Sequence, residues 1–514
     1  MTWTSNAGVE IPDLVPAELR QEWVACGLCP GKDLYRLFTE HVDAHPDREA
    51  VIDDAGPVTY TELDRMVRAA AATLTDAGLG PGDIVGIRMV NSRRAVVAEL
   101  AVAAVGAVSM PFPVGRGNRD ALSLLSRAKA AALLVDPGSD VPPVPTTIAL
   151  ELDRRPAARP EPVVAAHEPA RILVSSGSET APKMVAYSHD AFAGGRANYV
   201  RALHRGDEPM RNLVLVPLSS SFGSCGVPVT VAALGATLMV RERFDPAAAL
   251  RMIAARRPTH VFGVPTMLSR LADQHIGGRP PGLRALVSSG AALPPAVEER
   301  CRTRFGARVI SVYGSTDGVN CHNANGGRPD PAAATIAITD EDGTLVAAGT
   351  RGEIRALGPM TPLSYVADPE LNARHRAPGG WVRTGDEGVL DESGVLHVTG
   401  RLRQVVLRGG LTISPAEVEL CLSDHPAVAD AACVGVPDPE LGERLCACVV
   451  PRPGHAAPDL TALAAHLTGS HDLERCKLPE RLLVLPELPL GPTGKVCRAT
   501  LSRLAADRAG VTSR

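Results

Sequence analysis

The sequence predicts an α/β protein: sandwich layers in a large N-terminal region, a small β-rich subdomain, then a separate α+β unit. Three observations carry this. Helix and buried-strand signals alternate from Thr61 to Val108 and again from Leu213 to Val312, as in helices laid on a sheet. Between Thr335 and Val398 the hairpin turn signals Asp342-Gly343 and Ser393-Gly394 separate short alternating strands. After Gly400 the pattern shifts to a mixture of short strands and helices, over roughly a hundred residues, a normal domain size. With 514 residues the chain exceeds one ordinary core, and the expected domains are 1–400 and 401–514.

The elements follow in order. Thr61 to Gly78 reads as a helix, with Thr61 as cap, Leu63, Val67, Ala70, Leu74 and Ala77 as the apolar stripe, and Gly78 as the stop. Ile84 to Met89 is a strand candidate. Ala95 to Val108 reads as a buried helix running into a strand, because Glu99 and Gly106 interrupt it too much for a membrane span. Residues 137–170 are proline-rich and polar, a surface connection leading into the strand Arg171–Val174. Val309–Val312 is a further strand. Beyond Gly400, Val405–Leu407 and Cys446–Val450 are strands, and Pro415–Leu420 and Leu460–Leu467 are helices.

Composition narrows the function. A formal net charge of −4 gives no footprint for nucleic acid. The N-terminus lacks a basic region followed by an apolar run, so no secretory signal is expected and a cytoplasmic protein is. Eleven cysteines, an odd number spread along the chain, read as free thiols. Cys26 and Cys29 lack the further ligands that zinc needs, and Cys446 and Cys448 share one side of a strand as core thiols. Only Lys32, Lys129, Lys183, Lys477 and Lys495 are lysines, leaving 53 − 5 = 48 arginines. Lys183 and Lys495 stand in Gly/Pro-rich loops, where arginine's planar fork is a poor substitute for a mobile point charge.

Several loops carry chemistry. Ser175-Ser-Gly-Ser-Glu-Thr-Ala-Pro-Lys-Met184 follows a buried strand. Its hydroxyls, backbone amides and Lys183 suit phosphate oxygens, although its spacing is not that of a Walker loop. Tyr313-Gly-Ser-Thr-Asp317 places an aromatic face, hydroxyls and a carboxylate together, suited to a base, a phosphate and a magnesium ion. Thr384-Gly-Asp386 offers a carboxylate for two ribose hydroxyls. Gly400-Arg401 opens the last unit, and Gly491-Pro-Thr-Gly-Lys495 sets a lysine on a tight turn.

In order, SSGSETAPKMVAYSH, YGSTD, RTGD, GRLRQVVLRGGLTISPAEVE and PTGKVCR resemble the signature loops of the adenylate-forming superfamily of acyl/aryl-CoA synthetases, adenylation domains and luciferases, over essentially the whole chain. The resemblance implies an N-terminal AMP-binding domain of α/β sandwich subdomains with a small β-barrel-like subdomain, and a mobile C-terminal cap. It implies ATP and Mg2+ as cofactors, and CoA or a carrier phosphopantetheine as acceptor. Ser175, Ser176, Gly177, Ser178, Thr180 and Lys183 would hold the β- and γ-phosphates. Ser289, Gly290, Ala291, Tyr313 and Gly314 would line the adenine pocket. Thr316 would touch the α-phosphate, Asp317 would take the metal, Asp386 and Arg401 the ribose, and Lys495 would bridge the acid oxygen and the α-phosphate. The loop at Arg408-Gly-Gly410 would meet the thiol.

The chain departs from the family pattern. Asp317 replaces a glutamate, Thr180 and Met184 replace two glycines, and Gln404 stands where charged hinge residues are common. The substrate pocket is expected at Ser219, Ser220, Phe222, Ser315 and His322, with serines where CoA-ester-forming relatives carry an aromatic-histidine pair. The leading expectation is a carboxylic-acid ligase passing aryl, alicyclic or fatty acid from AMP to CoA or a carrier protein. A second keeps the ATP chemistry but adenylates nitrite and diazotises an aromatic amine. A non-catalytic nucleotide binder is the reading from another class, opposed by Lys495 and Asp386. No membrane partner is expected, and the protein is expected as a monomer or homodimer.

Overall fold

The computed structural model describes residues 1–508 apart from 145, 162–163, 176–181, 275–277, 324–325, 403–404, 409–410 and 492–493. By internal contacts the chain divides into two units. The first holds Met1–Gly290, Cys301–Ile336 and Arg355–Thr384; the second holds Ala291–Arg300, Ala337–Ile354 and Gly385–Arg514. No helix among the described residues is long and apolar enough to cross a membrane.

Two large sheets organise the first unit. One has seven strands in the order Ser364–Tyr365, Met184–Ser188, Pro169–Val174, Val108–Pro111, Ile84–Arg88, Ala132–Val135 and Thr147–Ala149. The other has eight, in the order Asn320–His322, Arg308–Gly314, Ala285–Ser289, His260–Gly263, Arg211–Val214, Thr237–Val240, Glu49–Asp53 and Gly56–Thr59. Its inner strands are parallel and only its two outermost pairs are antiparallel. Helices Leu34–Ala44, Tyr60–Asp76 and Arg93–Ala104 join both sheets in one core, with Phe38, Leu63, Val67, Val97, Leu173, Val185, Val214, Phe262 and Ile310. Met184 and Ala186 point to a second core on the other face of the seven-stranded sheet, as the two-residue strand period requires.

Local chemistry accounts for the boundaries. The helix expected to be capped by Thr61 begins instead at Tyr60 under Thr59, whose hydroxyl accepts from the Glu62 amide while Glu62 reaches back to the Thr59 amide. That reciprocal box satisfies two donors where a cap at Thr61 satisfies one. The expected surface connection 137–170 contains a short strand, Thr147–Ala149, paired in parallel with Ala132–Val135. The Ser393-Gly394 turn joins antiparallel strands Val382–Leu390 and Leu396–Arg401 as expected. In the second unit, Leu411–Ile413, Val406–Arg408, Gly442–Pro451, Val428–Asp438 and Arg481–Val484 form a five-stranded sheet. Helices Pro415–Leu422 and Leu460–His471 pack on one face, while Cys446 and Cys448 pack with Leu483 and Leu501 on the other.

Two buried histidines couple the first unit's stability to pH. His189, 3% exposed, accepts from the Leu34 amide at Nδ1, and burial pushes it down to about 3. Burial, helped by the neighbouring His204, brings His260 down to about 4. Unfolding frees both to bind protons near their ordinary value of 6.5. Stability is therefore complete above about pH 6.5 and falls as pH drops through the window toward 4. The urea midpoint at fixed salt should decline over that window, and His189→Gln should flatten the decline.

Candidate active site

A parallel strand delivers its following loop to the sheet edge where its neighbours deliver theirs. Adjacent strands Arg308–Gly314, Ala285–Ser289, His260–Gly263 and Arg211–Val214 thus bring Tyr313–Asp317, Ser289-Gly290 and Leu215–Phe222 to one edge of the first unit. Gly318 follows Asp317 at φ +89°, and a side chain there would lie 2.6 Å from Pro362 and 2.9 Å from the Met360 carbonyl, so only glycine fits.

The phosphate-loop candidate is a hairpin whose stem is fixed at both ends. The Ser175 amide donates to the Lys183 carbonyl at 2.9 Å. Arg116 donates to the Ser175 carbonyl at 2.7 Å, and Arg127 to the Pro182 carbonyl at 2.8 Å. Ser176, Gly177, Ser178 and Thr180 lie outside the described residues, as do Gln404, Gly409 and Gly410. Lys183 Nζ is 3.4 Å from Nε2 of His375, whose Nδ1 is 3.1 Å from the Arg383 carbonyl. A carbonyl only accepts, so Nδ1 carries the proton and Nε2 offers its lone pair to the ammonium. Burial and then the Lys183 charge hold His375 below the ordinary histidine value.

Asp317 is seated from two sides. Its amide donates to Ser315 Oγ at 3.0 Å, and its Oδ1 accepts from the Tyr365 hydroxyl. Burial, then the Asp317 charge, pushes the Tyr365 hydroxyl far up, so it stays a donor. Tyr365 also lies 5.5 Å from the His375 ring, which links the Asp317 seat to the Lys183 seat. The other oxygen of Asp317 has no hydrogen-bond partner among the described residues. One carboxylate with an open oxygen fits a hard divalent cation that takes its remaining ligands from phosphate and water. No group of three or more His, Cys, Asp or Glu among the described residues could hold a metal by itself.

The expected pocket serines divide. Ser220 Oγ donates to the Pro217 carbonyl at 2.7 Å and accepts from the Gly223 amide at 2.9 Å, so its hydroxyl is engaged within its own loop. Ser315 Oγ only accepts, from the Asp317 amide, so its O–H has no acceptor among the described residues. Ser219 is 8% exposed with no such partner, and Phe222 packs 5.9 Å from Phe262. His322 sits opposite Val312 on the edge strand, 3% exposed, both ring nitrogens without a hydrogen bond. Ala291 begins the stretch that groups with the second unit.

Within the second unit, Asp386 and Arg401 are cross-strand partners with a 3.0 Å ion pair, and Asp386 is 4% exposed. Lys495 reaches solvent, yet crowding at its ammonium, then the charge of Arg401, holds it below the usual lysine range, with Asp386 pulling the other way. Sequence motifs therefore found Asp386, Arg401 and Lys495, which share one electrostatic neighbourhood. They missed His375 and Tyr365, which meet Lys183 and Asp317 from far along the chain. One signal was there: the chain has only 6 tyrosines, so each was worth asking about. Arg401→Gln should raise the midpoint at which Lys495 acylates in competitive labelling, and Asp386→Asn should lower it. Unchanged midpoints in both would show that neither charge reaches the amine.

Known proteins resemble this chain over nearly its whole length. The AMP-binding enzyme family matches residues 38–366, and the AMP-binding enzyme C-terminal domain matches 417–495. Triostin synthetase I of Streptomyces triostinicus is 30% identical, over 96% of this chain and 98% of its own length. A salicylyl-CoA synthase / salicylate adenylyltransferase of Streptomyces sp is 31% identical, over 96% and 97%. The amide bond synthetase McbA from Marinactinospora thermotolerans superposes with a TM-score of 0.79 at 29% identity, over 92% of this chain and 99% of that one. This chain belongs to the AMP-binding enzyme family, as an ATP-dependent, AMP-forming ligase of the adenylate-forming superfamily.

Proposed function

We propose that the protein activates an aromatic carboxylic acid as its acyl-adenylate and passes the acyl group to the thiol of CoA or a carrier protein. The observation that carries it is the link from Lys183 to Asp317 through His375 and Tyr365, with Asp317 in a loop released at the same sheet edge as Leu215–Phe222. The aromatic class rests on the salicylate-named relative and on Phe222 packing against Phe262.

In the first step a carboxylate oxygen attacks the α-phosphorus of ATP, the bond to the bridging oxygen breaks, and pyrophosphate leaves. In the second a thiol attacks the acyl carbon and AMP departs with the acid's oxygen. Both reactants of the first step are anions, so cations must offset their repulsion and the charge that builds on oxygen. Lys183 acts on the β- and γ-phosphates together with Ser175–Thr180, and Thr316 contacts the α-phosphate. Ser289, Gly290, Ala291, Tyr313 and Gly314 receive adenine, and Asp386 with Arg401 the ribose. Asp317 would hold Mg2+, which supplies charge neutralisation at the phosphates when bound. Lys495 serves the acid oxygen and the α-phosphate. Residues 401–514 act as a mobile cap that presents Lys495 for the first step and Arg408–Gly410 for the second.

The nitrite reading drew on a polar pocket. With the Ser220 O–H spent on the Pro217 carbonyl, less of that polarity remains for a small inorganic anion. Pyrophosphate release across aryl, alicyclic and fatty acids, with and without CoA, and nitrite with aminobenzoates, separates the readings. Acid-dependent release with an aryl preference is expected; turnover that needs nitrite and ignores CoA would replace the carboxylate assignment. Lys495→Ala should lower acid-dependent release by two or more orders of magnitude while ATP affinity stays within a few fold. A wild-type rate in that variant would remove Lys495 from the chemistry.

A further inference from the structure

We propose that Arg196 is a positioning residue that ties the loop Leu218–Ser224 to the loop Tyr313–Asp317, with the Tyr187 hydroxyl as the bridge. Arg196 ends a π-helical turn, Ala191–Arg196, and is 4% exposed. Its Nη1 donates to the Ser221 carbonyl at 3.2 Å and to Ser224 Oγ at 3.1 Å. Its Nη2 donates to the Tyr187 hydroxyl at 3.0 Å, which in turn donates to the Thr316 carbonyl at 2.6 Å. The guanidinium carbon also lies 4.7 Å from the centre of the Tyr187 ring and 5.5 Å from that of Phe192.

Two features separate this from ordinary core packing. Among the described residues no carboxylate pairs with Arg196, so a buried cation is held by neutral acceptors alone. That is a costly way to fill space, because an apolar side chain of similar volume carries no desolvation penalty. Its acceptors, moreover, are in the loop Leu218–Ser224 and on the strand residue Tyr187, whose hydroxyl in turn reaches the second loop at Thr316. A second buried guanidinium, Arg171, donates to the Leu218 carbonyl at 2.7 Å while pairing with Glu99. Ser219 and Ser220 therefore lie between two peptide carbonyls, each fixed by an arginine. Arginine suits this task because its flat fork addresses several acceptors at fixed angles, while a lysine offers one mobile point.

The inference rests on the reading of Leu218–Ser224 as the wall of the acid pocket, and its test keeps the two apart. Hydrogen exchange on the full chain, followed in peptides covering 218–224 and 313–319, needs no substrate. Tyr187→Phe removes one oxygen and should speed exchange in 313–319 by tenfold or more, leaving 218–224 within threefold. Arg196→Lys should speed both. With the acid that supports pyrophosphate release, each variant should lower kcat at least tenfold with ATP KM within threefold. The double variant should be no worse than Arg196→Lys, since both act through one bridge. Faster exchange confined to the helix around Arg196, or losses that multiply in the double variant, would overturn the tie. An unchanged acid KM in Phe222→Ala, with the exchange pattern intact, would instead sink the pocket reading and leave the tie standing.

Discussion

Parallel strands release their loops at one edge, and the functional reading of the first unit depends on that constraint. Four neighbouring strands of the eight-stranded sheet deliver Tyr313–Asp317, Ser289-Gly290, Gly263-Val264 and Leu215–Phe222 together. The strands set where loops begin, not where their polar groups end up. That second task falls to a few side chains outside that sheet: Tyr187 and Tyr365 on strands of the other sheet, Arg196 at the end of the turn Ala191–Arg196, and half-buried His375 at the end of the helix Pro369–His375.

Three charged side chains of the first unit, Lys183, Arg196 and Asp317, are seated on neutral partners. Lys183 is met by a neutral imidazole and Arg196 by carbonyls and hydroxyls, so neither cation is neutralised by a fixed anion in these contacts. Asp317 is held by a phenol, not by a cation. Such seats orient a charge while leaving it available to a charged ligand. The contrast is Arg171, whose Glu99 partner is also buried; that pair reads as part of the scaffold. In the second unit Asp386 and Arg401 do neutralise one another, while burial at the Lys495 ammonium, then the charge of Arg401, holds that amine below the usual lysine range.

Much of this was legible in the sequence. The alternation of helix and strand, the Ser393-Gly394 turn, and the lysines kept against 48 arginines all carried physical meaning at short range. The helix cap shifted by two residues because Thr59 and Glu62 form a reciprocal pair that a single-residue reading overlooks. What could not be read were partners far apart in the chain: Tyr187 with Thr316, Tyr365 with Asp317, Lys183 with His375. The same holds for the state of a serine's hydroxyl: Ser220 spends its O–H on the Pro217 carbonyl within its own turn, which the residue type alone does not reveal.

The central claim is that an oxygen of the substrate acid attacks the α-phosphorus of ATP. Incubation of the full chain with ATP, acceptor thiol and an acid labelled with 18O in its carboxylate, followed by mass spectrometry of the products, tests it most directly. The account predicts one labelled oxygen in the AMP released and none in pyrophosphate. Label in inorganic phosphate with ADP as co-product, or AMP formed without label, would contradict it.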